Sequence, residues 1–149
     1  MDFGFLDSYY YLVLVNLILS AFLGLMMGYE RERRGICAGL RTFALICMGS
    51  CLFATLAMTQ FGLDSAARIL AQIITGIGFL GAGIIWKQEG GVVHGVTTAA
   101  DIWVAAGVGT AVGTGLYFLA IVCTVMVILI LNIHTKNDKQ NGNRNAACK

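Results

Sequence analysis

Long apolar runs alternate with short polar segments along this chain of 149 residues. The first three runs cover residues 10–29, 42–60 and 69–86. Each is close to the roughly 20 apolar residues that a helix needs to cross a bilayer core about 30 Å thick. The pattern predicts an all-α integral membrane protein, folded as a compact bundle of transmembrane helices.

A fourth apolar run, over residues 98–133, is too long for one span. At 1.5 Å per residue it would reach about 54 Å as a single helix. The chain contains no proline, so glycine must supply any break, and the segment GTAVGTGLY lies in the middle of the run. We therefore expect separate spans over residues 98–112 and 116–133, which makes five in all.

The distribution of charge predicts the orientation of these spans. Four arginines lie between the first two spans, and basic residues favour the cytoplasmic side. Five spans then place the polar tail, residues 134–149, on that side with its own basic residues, Lys136, Lys139, Arg144 and Lys149. The tail is expected to be disordered. Because Asp2 and Asp7 precede the first run, we expect a signal anchor with an external N-terminus rather than a cleaved signal peptide.

Composition narrows the class of function. The chain is 58% hydrophobic and 12% charged, with a formal net charge of +2, and its mean hydropathy is +0.78. Nucleic acid is not an expected partner, since phosphate binding needs a continuous basic surface. Five cysteines show no metal-ligand spacing and are expected to be apolar fillers or free thiols. No nucleophile and base can be paired, so we expect no enzyme.

Small residues recur at helical spacing in three spans. In lipid, no hydrophobic effect drives helices together, and small residues let their backbones approach closely, so these spans are expected to make close helix contacts. The three sets are Ser20, Gly24 and Gly28; Ala105, Gly109 and Gly113; and Ala71, Thr75, Gly78 and Ala82, with Gly76 and Gly83 beside the last. The segment GIGFLGAG lies inside such a span and lacks the strand that precedes a nucleotide-binding loop.

The segment ERERRGICAGLRT is the densest cluster of charge. Its arginines, Arg31, Arg33, Arg34 and Arg41, can fix orientation and hold anionic lipid headgroups. Orientation does not require the two glutamates. Glu30 and Arg34 have the spacing of a helical ion pair, and alternating charge also suits a structured loop or a partner protein.

Asp101, at the start of the fourth span, has two interpretations. With Thr98 it resembles a capping box at a helix N-terminus. It could instead face the bundle and pair with an arginine of the charged segment, or help to bind a cation. Glu30 and Asp101 are therefore weak candidates for a metal site, and no cofactor is expected. Trp86 and Trp103 suit the membrane interface.

Other polar residues have structural interpretations. Asp64 and Arg68, in the predicted external loop, are spaced for a local ion pair, and Asn16 and Gln72 are expected to form interhelical hydrogen bonds. No ionisable residue lies near the middle of a span, where secondary transporters usually hold their substrate. A monomeric magnesium transporter is therefore disfavoured.

Three stretches together resemble the MgtC/SapB family of bacterial inner-membrane proteins. They are GYERERRGICAGLRTFALICMGS, ARILAQIITGIGFLGAGIIW and VHGVTTAADIWVAAGVGTAVGTGLY. The residues that match the family's motifs are Glu30, Arg31, Arg33, Arg34, Gly39, Leu40, Arg41, Thr42, Gly76, Gly78, Gly81, Gly83, Thr97, Thr98 and Trp103. Asp101 stands where a small or neutral residue is expected.

The resemblance implies a multi-pass plasma-membrane protein associated with magnesium limitation and, in pathogens, with virulence. It also implies a regulator of other membrane proteins, including the proton-translocating ATP synthase. Longer members carry a soluble C-terminal domain after the last span, and we expect the short, SapB-like branch to be the better comparison for this chain.

Two functions follow as hypotheses. The first is a non-enzymatic membrane protein that binds partner helices, and itself as a homo-oligomer, in magnesium or envelope-stress physiology. The second is a cation transporter or channel formed by an oligomer, with Asp101 or Glu30 at its inner mouth.

Overall fold

The protein is described by a computed structural model over residues 3–36, 38–87 and 93–133, with side chains from residue 10 onward. Five α-helices and one pair of two-residue strands make up this part of the chain. In chain order they are α1 (Phe3–Arg33), α2 (Leu40–Gln60), α3 (Leu63–Ile84), β1 (Trp86–Lys87), β2 (Val93–His94), α4 (Val96–Gly113) and α5 (Tyr117–Asn132). The predicted tail, with Cys148, and the side chain of Cys37 lie outside the described residues.

Within the described residues, α1 to α4 are long and apolar enough to span a membrane. The helix α5 has 16 residues, or about 24 Å, and is shorter than a typical span. The prediction of separate fourth and fifth helices agrees with the structure, since Gly115 adopts φ +83° between them. Only glycine enters that left-handed conformation without strain.

Several predicted boundaries were wrong. The helix α1 continues through Arg33, so part of the expected charged loop is helical. The helix α3 begins at Leu63, six residues before the predicted start, and includes Asp64 and Arg68. Those two side chains form no ion pair within the described residues, although helical spacing favoured one. Where the third span was expected to continue to Trp86, the chain instead forms a short antiparallel pair.

The helix α2 packs between α1 and α4, and glycines set both distances. A Cβ atom at Gly24 of α1 would lie 2.6 Å from the carbonyl oxygen of Phe43. At Gly109 of α4 it would lie 2.1 Å from the carbonyl oxygen of Cys47. Real Cβ atoms do not approach backbone so closely, so two of the three predicted small-residue faces are used inside the chain.

The same contacts account for the cysteines of α2. Cys47 and Cys51 are fully buried against α4, and the Cys47 thiol donates to the carbonyl oxygen of Ala105 at 3.1 Å. Both therefore fill space in the core, as small apolar residues do.

A hydrogen bond between side chains ties α5 to α1. The Tyr117 hydroxyl donates to Asn16 Oδ1 at 2.9 Å. This contact confirms the interhelical role expected for Asn16. Gln72 is exposed on α3 and forms no such bond within the described residues, so its interhelical bond stays a prediction.

The hairpin after α3 directs the chain into α4. Trp86 pairs with His94 across the two strands, and their rings stack with centroids 4.7 Å apart. Gly95 follows with φ +86°, and a Cβ atom there would lie 2.2 Å from the carbonyl oxygen of Ile84. The tight turn places the start of α4 beside the end of α3.

Candidate functional site: a buried ionic cluster and an open helix face

An ion pair joins the end of α1 to the start of α4. Arg31 Nε lies 3.3 Å from Asp101 Oδ2, and the two side chains are only 4% and 6% exposed. The same guanidinium donates from Nη2 to the Thr98 hydroxyl. Helix spacing explains the arrangement, because Thr98 and Asp101 are three residues apart and share one face of α4. The arginine thus bridges two helices that are distant in sequence.

This geometry decides between the two interpretations of Asp101. The N-cap of α4 is Gly95, and no side chain caps the helix there. The capping-box interpretation of Thr98 was therefore wrong, because Thr98 lies inside the helix and turns its hydroxyl to Arg31. Asp101 faces the bundle and pairs with an arginine of the charged segment.

A second ion pair lies on the same side of the bundle. Arg34 approaches Glu30 Oε1 at 2.8 Å through both Nε and Nη2, with the helical spacing that the sequence indicated. Arg34 Nη2 also donates to Asn132 Oδ1 at 3.4 Å, which brings the end of α5 to the cluster. We call Glu30, Arg31, Arg34, Thr98 and Asp101 the ionic cluster. Its two arginines and two carboxylates balance in charge.

The other glutamate of the charged segment serves α2. Glu32 Oε2 accepts a hydrogen bond from the backbone N–H of Leu40 at 3.1 Å. The first N–H groups of a helix have no partner within it, so this carboxylate satisfies one of them. A Cβ atom at Gly39 would lie 2.7 Å from Glu32 Oε2, and glycine leaves room for the contact.

The remaining candidate residues do not join the cluster. Arg33, Arg41 and Thr97 are exposed, and Trp103 is 53% exposed on α4. Within the described residues, neither Arg33 nor Arg41 forms an ion pair. Their guanidinium groups are available to anionic headgroups or to acidic partners.

A metal site does not assemble among the described residues. No group of three or more His, Cys, Asp or Glu side chains lies close enough there to hold an ion. Both carboxylates proposed as weak candidates, Glu30 and Asp101, contact an arginine instead. Magnesium at either carboxylate would lie next to a guanidinium group, whose positive charge opposes its binding.

The third small-residue face remains open on α3. Its members Ala71, Thr75, Gly78 and Ala82 are all exposed. A Cβ atom added at Gly78 would have no atom of another helix within 4 Å, and the same holds for Gly76 and Gly83. Gly81 is the exception, because it is buried and a Cβ atom added there would lie 3.6 Å from Ala99 Cβ. We call Ala71, Thr75, Gly78 and Ala82 the open α3 face.

Two contacts of the site were missed by sequence reasoning. The hydrogen bond from Leu40 N–H to Glu32 closes a turn that no local sequence pattern predicts. Gly39 beside it is a residue type that allows such a close approach. Asn132 and Arg34 are 98 positions apart in the sequence. A single polar residue at the end of an apolar run does not indicate which residue it will contact.

Comparisons with known proteins agree on one family. The sequence model of the MgtC family matches residues 17–140. Protein MgtC of Salmonella typhimurium is 43% identical over 131 residues, which cover 88% of this chain and 55% of that protein. Protein MgtC of Brucella abortus is 46% identical over 108 residues, covering 72% and 45%.

A further relative carries a different name. The Escherichia coli protein named "Putative magnesium transporter YhiD" is 45% identical over 129 residues, covering 80% of this chain and 59% of its own length. The chain thus spans about half the length of these relatives. No solved structure matches the chain.

Proposed function

The chain belongs to the MgtC family, and we propose that it is a non-enzymatic regulator that binds other membrane proteins through the open α3 face. The physiological setting proposed is magnesium limitation, which the family resemblance implies; the name of the Escherichia coli relative also mentions magnesium. We place it in the bacterial inner membrane, with the ionic cluster on the cytoplasmic side as the arginines favour.

The observation that carries this proposal is the difference between the three small-residue faces. Gly24 and Gly109 each meet the backbone of α2, whereas Gly78 on α3 meets nothing within 4 Å. Small residues gain little from lipid, but they let a second helix approach closely enough for backbone contacts. A face of this kind that is unused within the chain fits an incoming helix.

Polar groups on the same helix support a protein partner over lipid. Gln72 is exposed near the middle of α3, where hydrocarbon offers its amide no hydrogen bond. An amide on a facing helix would satisfy both its donor and its acceptor. Such bonds contribute about 0.6 kcal/mol each in membranes, so they orient a contact more than they drive it.

The ionic cluster has a supporting role in this proposal. It joins α1 to α4, and α4 packs against α3, so it holds the open α3 face in place relative to the rest of the bundle. Arg33 and Arg41, which remain exposed beside it, offer charge to a partner or to headgroups.

Two matched variants test the partner surface. Gly78→Leu places a large side chain on the open α3 face, and Gly107→Leu makes the same change on α4, where nothing lies within 4 Å either. Tagged protein would be recovered from native membranes and probed for two candidates, a second copy of the chain and the membrane subunits of the ATP synthase. We expect Gly78→Leu to reduce recovery of a partner about tenfold or more, as overpacking of a close contact implies. Equal recovery with both variants would contradict the proposal.

The second candidate function is a magnesium or other cation transporter formed by an oligomer. The name of the Escherichia coli relative favours it. Its inner mouth would use Asp101 or Glu30, and it predicts that Asp101→Asn abolishes ion flux. The ion pairs of both carboxylates with arginine make this the less favoured function. Normal flux in Asp101→Asn, if flux is found at all, would remove the named site.

A further inference from the structure

A groove lies between α2 and α3 at the end of the bundle that carries the charged segment. Its volume is about 410 Å³, within the size range of small-molecule sites. Thr42 and Ile46 of α2 form one wall, Gly83 and Ile84 of α3 form the other, and Ile102 of α4 also lines it. Apart from the Thr42 hydroxyl, the lining is apolar.

Two exposed cations adjoin the groove-lining residues along the chain. Arg41 immediately precedes Thr42 in the first turn of α2, and Lys87 follows Ile84 by three residues. Both are exposed, and neither forms an ion pair within the described residues. Glu32, whose carboxylate accepts a hydrogen bond from Leu40 N–H, offsets one of these two positive charges and leaves the other. An apolar groove with positive charge near one end is complementary to a molecule that has an apolar tail and a negatively charged head.

We propose that this groove binds one acyl chain of an anionic phospholipid, with Arg41 and Lys87 holding its phosphate. Basic pockets between transmembrane helices bind anionic headgroups elsewhere for the same physical reason. The groove follows α3 only from Phe79 to Ile84, about 7.5 Å at 1.5 Å per residue. That length is about one and a half helical turns, which offers a packed helix little contact, whereas an acyl chain is thin enough to enter the groove.

This site can be tested apart from the open α3 face, although Ala82 belongs to both. Gly83 lines the groove and Gly78 belongs to the open α3 face, and at 100° per residue they are about 140° apart around the helix. Neither glycine would bring a Cβ atom within 4 Å of another helix, so the backbone leaves open space for a side chain at both positions. The same substitution at the two positions therefore distinguishes lipid binding from partner binding.

Native mass spectrometry of the full chain, with phosphatidylglycerol or phosphatidylcholine added in detergent, tests the site. We expect Gly83→Leu to lose retained phosphatidylglycerol and Gly78→Leu to keep it. Arg41→Gln and Lys87→Gln should each weaken retention about fivefold, which corresponds to roughly 1 kcal/mol per cation. Arg33→Gln, an exposed cation at the end of α1, is the charge control and should retain the lipid. Equal retention of the two lipids, or retention unchanged in Gly83→Leu, would overturn the proposal.

A second measurement avoids any change in the groove. Trp86 lies two residues beyond Ile84 and is 55% exposed, so Trp103→Phe leaves one tryptophan beside the site. Lipids with brominated acyl chains quench indole fluorescence on contact. Brominated phosphatidylglycerol should quench Trp86 more strongly than brominated phosphatidylcholine at equal mole fraction. Equal quenching would overturn the anionic preference.

A different result would identify a second copy of the chain as the occupant of the groove. If the chain forms dimers that do not depend on lipid charge and that Gly83→Leu abolishes, the proposal is overturned.

Discussion

Breaking the ion pair between Arg31 and Asp101 should cost the protein more stability than the intact pair adds. We consider the variants Arg31→Met and Asp101→Leu, singly and together. Each single change removes an opposite charge from beside a side chain that is at most 6% exposed. The Thr98 hydroxyl contacts the arginine but carries no compensating charge.

The expected magnitudes follow from burial. Removing one partner of a buried ion pair costs about 3–5 kcal/mol in the free energy of unfolding. Replacing both partners with apolar side chains of similar size is often close to neutral, since two desolvated charges are removed together. The double variant should therefore be more stable than the sum of the single changes predicts, by about 3 kcal/mol or more.

Unfolding in mixed micelles with increasing SDS, followed by far-ultraviolet circular dichroism, measures these energies. The pair Glu30 and Arg34 supplies the control cycle, because their side chains are 11% and 26% exposed and adjacent on one helix turn. This pair is local to one helix and less completely buried than Arg31 and Asp101, so it should couple less strongly. Additive losses in the cycle of Arg31 and Asp101 would refute the interpretation of that pair as a buried bridge between α1 and α4.

Two further predictions concern packing and hydrogen bonding. Gly109→Ala should destabilise the fold by about 1–3 kcal/mol, because its Cβ atom would meet the carbonyl oxygen of Cys47 at 2.1 Å. Gly107→Ala, with open space around it, should be neutral or slightly stabilising in the same SDS unfolding assay; equal effects at the two positions would contradict the packing of α4 on α2. Tyr117→Phe should cost about 1 kcal/mol, since it leaves the buried Asn16 without its 2.9 Å partner. An unchanged midpoint in Tyr117→Phe would show that this bond does not hold α5 to α1.

The sequence predicted the helices of this fold better than their ends. Apolar runs located all five helices, and glycine placed the break after α4 correctly. Charged residues were taken as loop, but Arg33 and Asp64 both extend helices. A helix can continue beyond the apolar core into the headgroup region, where charge is solvated, so charge alone does not end it.

The site was only partly predictable for a different reason. The pair Glu30 and Arg34 is local, and its spacing alone indicates the contact. The partner of Asp101 lies 70 positions away, so the sequence left capping, pairing and cation binding open until the packing of α1 on α4 was known. The small-residue faces were all visible in the sequence, but only the packing distinguishes those used internally from the one left open.

Magnesium uptake into proteoliposomes distinguishes the two proposed functions, because a regulator that binds partners does not move the ion. Purified, folded protein would be reconstituted with an internal magnesium indicator, and empty liposomes would serve as the control. We expect no uptake above that control at any external magnesium concentration. Saturable uptake that requires the protein would contradict it and make the transporter the leading function.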